Sequence, residues 1–430
     1  MLRRIDIRGD ALDLASALPN SVSSGAPAEV LNSVRSIISD VRERGDAALL
    51  EYTQRFDGVS LESVAVSPDL VKAAWEATSP ELQGALSFAA DQIRGYHEAQ
   101  VSDVEHAAWG ADGISVAEMI RPVARAGLYV PGGRGAYPST VLMTAIPAAV
   151  AGVDQIILCV PPAADGSLPQ ATLAAAALCE IDEIYSVGGA QAIAAMAYGT
   201  ESIKAVDVIV GPGNQYVSLA KGEVSGDVGI DSMAGPSELV VIADESTPAE
   251  FIALDLMAQA EHGPDGTAVV ISWSEEVLEA VNSALSRLVK DAPRRKDIES
   301  NFANGGASVL VSDWEQAIEV SNFIAPEHLE LCVANPEELL KSVNCAGAVF
   351  CGPWAPAVVG DYISGANHVL PTGRSARFAS ALRVDTFRKH IHVVRVERSG
   401  LERVAPFVAA LTEAEELFAH GEAVARRVTQ

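Results

Sequence analysis

Positive charge is scarce in this 430-residue chain: 30 Lys and Arg stand against 57 Asp and Glu, for a net charge of −27. So acidic a surface repels nucleic-acid phosphates and anionic lipid, which argues against DNA, RNA and membrane partners. Cysteine is scarce too. Cys159, Cys179, Cys332, Cys345 and Cys351 are odd in number and form no C-x-x-C pair. That argues against a disulfide framework and a cysteine zinc site, and for free thiols in a reducing compartment. The longest apolar run, over 140–163, is broken by Pro147, Asp154, Gln155, Pro161 and Pro162 and cannot span a bilayer. The first ten residues lack the apolar core of a secretion signal, so a cytoplasmic protein is expected. The G-x-G-x-x-G dinucleotide fingerprint is absent as well.

Aromatics are few, 5% of the chain, yet 49% of it is hydrophobic. Ala, Val, Ile and Leu dominate, as in α/β proteins with buried strands and small-residue helices. Residues 25–110 read as mainly helical. From about Ile120 the rhythm changes to strand, glycine turn and helix: Ala126–Val130, Gln155–Val160, Glu183–Val187 and Asp207–Val210 are the strands. A second series opens at Glu238–Ala243 and continues through a helix at 248–262, Ala268–Ser272, a helix at 275–290 and Ser308–Ser312. This alternation implies βαβ units and parallel sheets, in two modules split near residue 238. The polar, glycine-rich stretch from Gly360 to Arg377 reads as a functional loop, and an amphipathic helical tail runs from Glu402.

Three strand-to-helix junctions carry glycines: Val130-Pro-Gly-Gly133, Val187-Gly-Gly-Ala-Gln191 and Val210-Gly-Pro-Gly-Asn214. Such junctions aim backbone N–H groups and a helix dipole at an anion. Read alone, they serve equally well just to turn the chain. Histidines number eight. His97 and His106, in a charge-mixed helical region, read as surface residues; His390 and His392 alternate along a strand and read as solvated. His262, His328, His368 and His420 sit beside carboxylates or small-residue turns. Gln259 and His262 are spaced i, i+3 on a helix and share a face, which gives half of a zinc site.

Eight segments in register carry a resemblance: Gly127-Leu-Tyr-Val-Pro-Gly-Gly133, Gly188-Gly-Ala-Gln-Ala-Ile193, Val210-Gly-Pro-Gly-Asn214, Ala234-Gly-Pro-Ser-Glu238, Gln259-Ala-Glu-His262, Pro326-Glu-His-Leu-Glu330, Gly360-Asp-Tyr362 and Asn367-His-Val-Leu-Pro-Thr372. Together they resemble histidinol dehydrogenase over nearly the whole chain. The resemblance implies a zinc-dependent oxidation of L-histidinol, through the aldehyde, to L-histidine with two NAD+. It implies a dimeric α/β fold with two incomplete Rossmann-like parallel-sheet modules, a helical N-terminal region and a helical C-terminal tail. The implied divisions are an N-terminal arm (1–26), a zinc-binding catalytic domain (27–128 plus 239–381), an NAD-binding domain (129–238) and a tail (382–430) that crosses to the partner subunit.

The resemblance assigns one zinc per subunit to Gln259, His262, Asp361 and His420. It assigns acid–base chemistry to Glu327 and His328, whose roles adjacency alone does not separate. Substrate contacts fall to Ser237, Gln259, His262, His328, Asp361, His368, Glu415 and His420, and NAD contacts to Tyr129, Gln191 and Asn214. The chemistry suits these types: a near-neutral histidine takes the alcohol proton, and a glutamate activates the water that hydrates the aldehyde. Two other readings differ in kind. A zinc amide hydrolase leaves the glycine junctions unexplained, and a silent binding protein leaves eight intact motifs unexplained. A dehydrogenase of another amino alcohol differs from the main reading only in substrate.

Overall fold

The computed structural model describes residues 1–9, 14, 27–101, 109–132, 135–181, 183–233 and 235–429. The strand β1 (Arg3–Asp6) is followed by the helices α1 (Ala28–Arg44), α2 (Asp46–Asp57), α3 (Pro68–Glu76) and α4 (Pro80–Glu98). Ser67 and Ser79 cap α3 and α4 by accepting the N–H groups of Asp69 and Leu82, and each helix has proline in its first turn. A short hairpin, β2 (Trp109–Ala111) and β3 (Ile114–Pro122), leads into the first α/β module. That module runs β4 (Arg125–Tyr129), α5 (Pro138–Ala151), β5 (Gln155–Val160), α6 (Gln170–Leu178), β6 (Glu183–Ser186), α7 (Gly189–Tyr198), β7 (Val208–Val210), α8 (Gln215–Val224) and β8 (Gly229–Ile230).

The second module runs β9 (Glu238–Ala243), α9 (Ala249–Ala260), β10 (Thr267–Ser272), α10 (Glu275–Leu288), α11 (Arg295–Gly305), β11 (Gly306–Leu310), α12 (Trp314–Ile324), β12 (His328–Cys332), α13 (Pro336–Leu340), β13 (Ala348–Cys351) and α14 (Ala357–Tyr362). The chain ends with β14 (Arg388–Val396), α15 (Arg398–Ala414) and α16 (Phe418–Thr429).

Both modules have parallel sheets, in the orders β6-β5-β4-β7-β8 and β1-β11-β10-β9-β12-β13. Every residue of β4, β10, β11 and β12 is buried, so these strands have no solvent-facing side, and β4 and β12 bury Arg125, His328 and Glu330 among apolar residues. Ion pairs close the few polar gaps. Arg125, buried at the start of β4, pairs with Glu183 of β6 and donates to the Gln155 Oε1 at 2.7 Å.

Three sequence expectations are revised. The helices of 27–128 were grouped with the second module. Instead α1 packs on α7 and α8, α3 on α6 and α4 on α5, so all three cover the five-stranded sheet. Amphipathic periodicity shows that a helix buries one face but not what covers it. Residues 3–6, placed in an arm, form the edge strand of the second sheet, with Arg3 beside Ala307 and Asp6 beside Leu310. Residues 10–13 and 15–26 of that arm, and His106, lie outside the described residues.

His97 is fully buried, not on the surface. It occupies the same face of α4 as Leu86, Ala89, Ala90 and Ile93, and its Nδ1 lies 2.7 Å from the Ile93 carbonyl. Its charged neighbours Arg94 and Glu98 take the other faces. His390, by contrast, is exposed on β14 and pairs with Glu118 at 3.1 Å.

The tail starts as sheet. β14 pairs antiparallel with β3 from Arg388–Pro122 to Val396–Ile114. Then α15 and α16 pack on each other. Beyond Gly400 neither helix buries a residue, and Phe407 and Phe418 are 68% and 79% exposed.

Candidate active site

The C-terminal end of α9 and the strand ends of the second sheet gather the polar residues. The helix stops at Ala260, two residues before His262 and earlier than its sequence suggests, because Gly263 follows with a φ of 132°. The chain nevertheless stays coiled there: the His262 N–H donates to the Gln259 carbonyl at 3.2 Å. The Gln259 side chain is buried, and its Nε2 makes no hydrogen bond. An orphaned amide in a buried site, one turn from a histidine, suits a ligand that accepts from or binds to that amide.

Glu327 and His328 open β12, next to β9. The Glu238 N–H donates to Glu327 Oε2 at 3.0 Å, and the Ser237 hydroxyl also bonds the Glu327 carboxyl. Burial pushes the Glu327 carboxyl above its ordinary range, and the neighbouring His328 only partly opposes that.

His328 is held at both nitrogens. Its Nδ1 faces the Glu238 carbonyl at 3.2 Å and its Nε2 faces Asp361 Oδ1 at 3.3 Å. Burial works against its charged form, but Glu327, Asp361 and that carbonyl outweigh it and raise the imidazole to about 9. For Asp361 the signs reverse: burial would raise it, while the hydrogen bond and charge of His328 hold the carboxyl below its ordinary value. His368 closes the group, its Nδ1 donating to the Asp361 carbonyl at 2.9 Å and its Nε2 facing Thr140 Oγ1 at 3.2 Å. Burial lowers the His262 imidazole below its ordinary value, with the charge of Asp361 opposing. Ser237, Glu327, His328, Asp361 and His368 thus form one connected cluster, with His262 in electrostatic contact and Gln259 one turn away.

The tail residues stand apart. Glu415 and His420 are both exposed. Among the described residues, no three His, Cys, Asp or Glu side chains gather into a metal-holding group. His262, Asp361 and the Gln259 amide nevertheless provide a nitrogen and two kinds of oxygen, the donors zinc takes, and leave a further position open.

The residues expected at NAD lie elsewhere, along the C-terminal edge of the first sheet. Tyr129 ends β4, and its hydroxyl accepts the Gly189 N–H at 3.1 Å. Gln191, in the first turn of α7, is buried with Oε1 unbonded. Asn214 caps α8 by accepting the N–H groups of Tyr216 and Val217 at 3.0 and 3.1 Å. Gly211 has a φ of 119°, and a Cβ there would sit 2.1 Å from the Tyr129 carbonyl oxygen, so the turn admits only glycine.

Sequence reasoning missed Glu238, whose carboxyl burial and the charge of Glu327 push up to about 8. It missed Thr140, and it gave Asp255 and Glu330 no role. A lone carboxylate in an apolar strand was the available signal for Glu238 and Glu330.

A family model described as histidinol dehydrogenase matches residues 21–428. Histidinol dehydrogenase of Parasynechococcus marenigrum (strain WH8102) is 47% identical over 402 residues, covering 93% of this chain and 92% of the relative. That of Methanocaldococcus jannaschii is 45% identical over 400 residues, 93% of each chain. The crystal structure of histidinol dehydrogenase from Elizabethkingia anophelis superimposes with a TM-score of 0.94 at 36% identity, covering 100% of this chain and 98% of that one. With the family model spanning almost the entire chain and relatives this similar along their full lengths, the chain belongs to the histidinol dehydrogenase family.

Proposed function

We propose that this chain oxidises L-histidinol, through L-histidinal, to L-histidine, reducing two NAD+ and holding one zinc per subunit. The observation that carries the reading is the connected Ser237–Glu327–His328–Asp361–His368 cluster, buried at Glu327 and His328, in a chain of this family. Gln259, His262 and Asp361 would hold the zinc, with the partner subunit's His420 as fourth ligand. Bound there, the metal supplies a Lewis-acidic anchor for the substrate's imidazole and amine, which is orientation more than activation of the alcohol.

His328, in its neutral form, accepts the hydroxyl proton as hydride leaves the carbinol carbon for the first NAD+; with the imidazole raised to about 9, that form grows as pH rises. Glu327 then takes a proton from the water that adds to the aldehyde carbon. The hydrate gives its remaining carbon-bound hydrogen as hydride to the second NAD+, and a carboxylate remains. Ser237 orients Glu327, and His368 lines the substrate side of Asp361. Tyr129, Gln191 and Asn214 contact NAD at the edge of the first sheet, where the unbonded Gln191 oxygen supports a ligand with an N–H to give.

The exposed apolar side chains of α15 and α16 support a homodimer with shared sites, in which Glu415 and His420 complete the neighbouring subunit's site. No described helix is long and apolar enough to cross a membrane, and we infer a cytoplasmic enzyme of histidine biosynthesis.

The test is NADH formed per L-histidinol consumed, before and after chelation and zinc add-back. Two NADH per substrate, lost on chelation and restored by zinc, is the expected result. NADH from a different amino alcohol and none from histidinol would keep the mechanism and overturn the substrate.

A further inference from the structure

One buried pair of acids lies outside the machinery described so far. Glu330 sits on β12 two residues beyond His328, so its side chain leaves the same face of the strand. It is 1% exposed. Its Oε1 accepts the N–H of Ala357, the first residue of α14, at 2.7 Å. Its other oxygen lies 4.0 Å from Cys332 Sγ, and its carboxyl hydrogen-bonds the carboxyl of Asp255 on α9. Asp255 is one helical turn before Gln259, and Ala357 is one turn before Asp361. The two carboxyls therefore join the three elements that carry Gln259, the Glu327–His328 pair and Asp361.

Their chemistry sets the form of the link. Burial disfavours charge on Glu330, and the neighbouring acid disfavours it further, so its carboxyl is raised well above its ordinary range; burial likewise raises Asp255. Two acids this close share a proton, and one serves as an O–H donor to the other. A hydrophobic core needs no such pair, and apolar residues of like volume would pack β12 on α9 at lower cost. What apolar residues cannot do is accept the first N–H of α14 while bonding to α9, which fixes the distance between those two elements.

We propose that the Asp255–Glu330 carboxyl pair is a positioning device that sets α9, β12 and α14 relative to one another and thereby holds Gln259, His262 and Asp361 in place to bind the metal. This rests on the zinc assignment above. Neither acid touches substrate. Glutamine can take the place of Glu330: its amide oxygen accepts the Ala357 N–H and its NH2 donates to an ionised Asp255. Leucine has the volume but neither bond.

The experiment compares wild type, Glu330→Gln and Glu330→Leu as full-length protein, by zinc dissociation constant in chelator competition, by kcat, and by KM for NAD+. Folding is checked by circular dichroism and by gel filtration. Groups that orient metal ligands typically alter affinity or activity about 10- to 100-fold when removed. Glu330→Leu should lose zinc affinity and kcat on that scale with the NAD+ KM unchanged, and Glu330→Gln should stay within about threefold of wild type on the same scale. Should Glu330→Leu not fold, Asp255→Ala against Asp255→Asn carries the same expectation. Zinc affinity and kcat within threefold of wild type in the folded leucine or alanine variant would overturn the proposal. So would a glutamine variant that falls as far as leucine. A wild-type protein that binds no zinc would instead overturn the zinc assignment itself, before any variant is compared.

Discussion

The two parallel sheets use buried charge in opposite ways. In the first, the buried Lys221 and Arg125 each face a carboxylate, Asp231 and Glu183. Lys221 and Asp231, 1% and 4% exposed as side chains, pair with each other, and between them they hold both ends of the Gly211 peptide: Lys221 Nζ donates to its carbonyl at 2.9 Å and Asp231 accepts its N–H at 2.8 Å. That arrangement fixes a glycine turn. In the second sheet the buried and half-buried ionisable groups Glu238, Asp255, Glu327, His328, Glu330 and Asp361 crowd around β12, and burial and one another's charge shift their ionisation. Matched pairs shape a surface for a ligand; unmatched, crowded groups are poised to move protons. On the reading proposed above, the first module would orient a ligand and the second would carry the chemistry.

Substitutions in the two modules should therefore fail in different ways. The largest effect is expected from Asp361→Ala, which takes the proposed metal donor and the anion beside His328. Turnover should fall by more than about 1000-fold, the several kcal/mol a metal site contributes, and purified protein should lose its zinc. Elemental analysis and NADH production check both, and full zinc content would remove Asp361 from the ligand set.

Next comes Asp231→Ala in the first module. It strands a buried Lys221 and should cost about 3–5 kcal/mol of stability in chemical denaturation. The folded fraction should keep its zinc, whereas equal loss of zinc and stability would erase the distinction between the sheets. Glu327→Gln should slow oxidation of L-histidinal by about 100-fold or more, the range of general-base catalysis, with little loss of stability. An unchanged rate with histidinal would show that another group activates the water.

The smallest effect is a pH dependence in the first sheet. The Arg125 guanidinium holds the Glu183 carboxyl below its ordinary value, against burial. A depressed folded value stabilises the fold above the unfolded value, and that contribution is lost as pH falls through the folded one. Glu183→Gln should thus destabilise at pH 6 by less than about 1 kcal/mol, because the Glu183 side chain is 42% exposed to solvent and the glutamine oxygen can still accept from Arg125. The deficit should shrink as pH falls below the ordinary carboxylate range and through the lowered folded value. A deficit independent of pH would mean that packing, not charge, sets it.

Much of this was legible in the sequence, for physical reasons that differ by element. Strands such as Gln155–Val160 and Thr267–Ser272 stand out because central parallel strands are buried on both faces and so concentrate β-branched and aliphatic residues. The connected residues Ser237, Glu327, His328, Asp361 and His368 were all named through their motifs. What stayed hidden was long-range. The burial of His97 depends on which face α4 turns inward, and its mixed-charge surroundings pointed the wrong way. The docking of α1, α3 and α4 on the first sheet depends on partner helices far along the chain, between residues 138 and 224. Asp255 and Glu330 look like solvated charges until the fold brings them together 75 positions apart.

The central claim is that a site built on the second sheet is completed by the tail of the other subunit. Mixing His420→Ala with His328→Ala protein, each inactive alone, tests it most directly. If the tail crosses, each heterodimer holds one intact site, and random reassortment should restore about a quarter of wild-type activity. If heterodimers form and no activity returns, each site lies within a single chain and the account of a shared site is wrong.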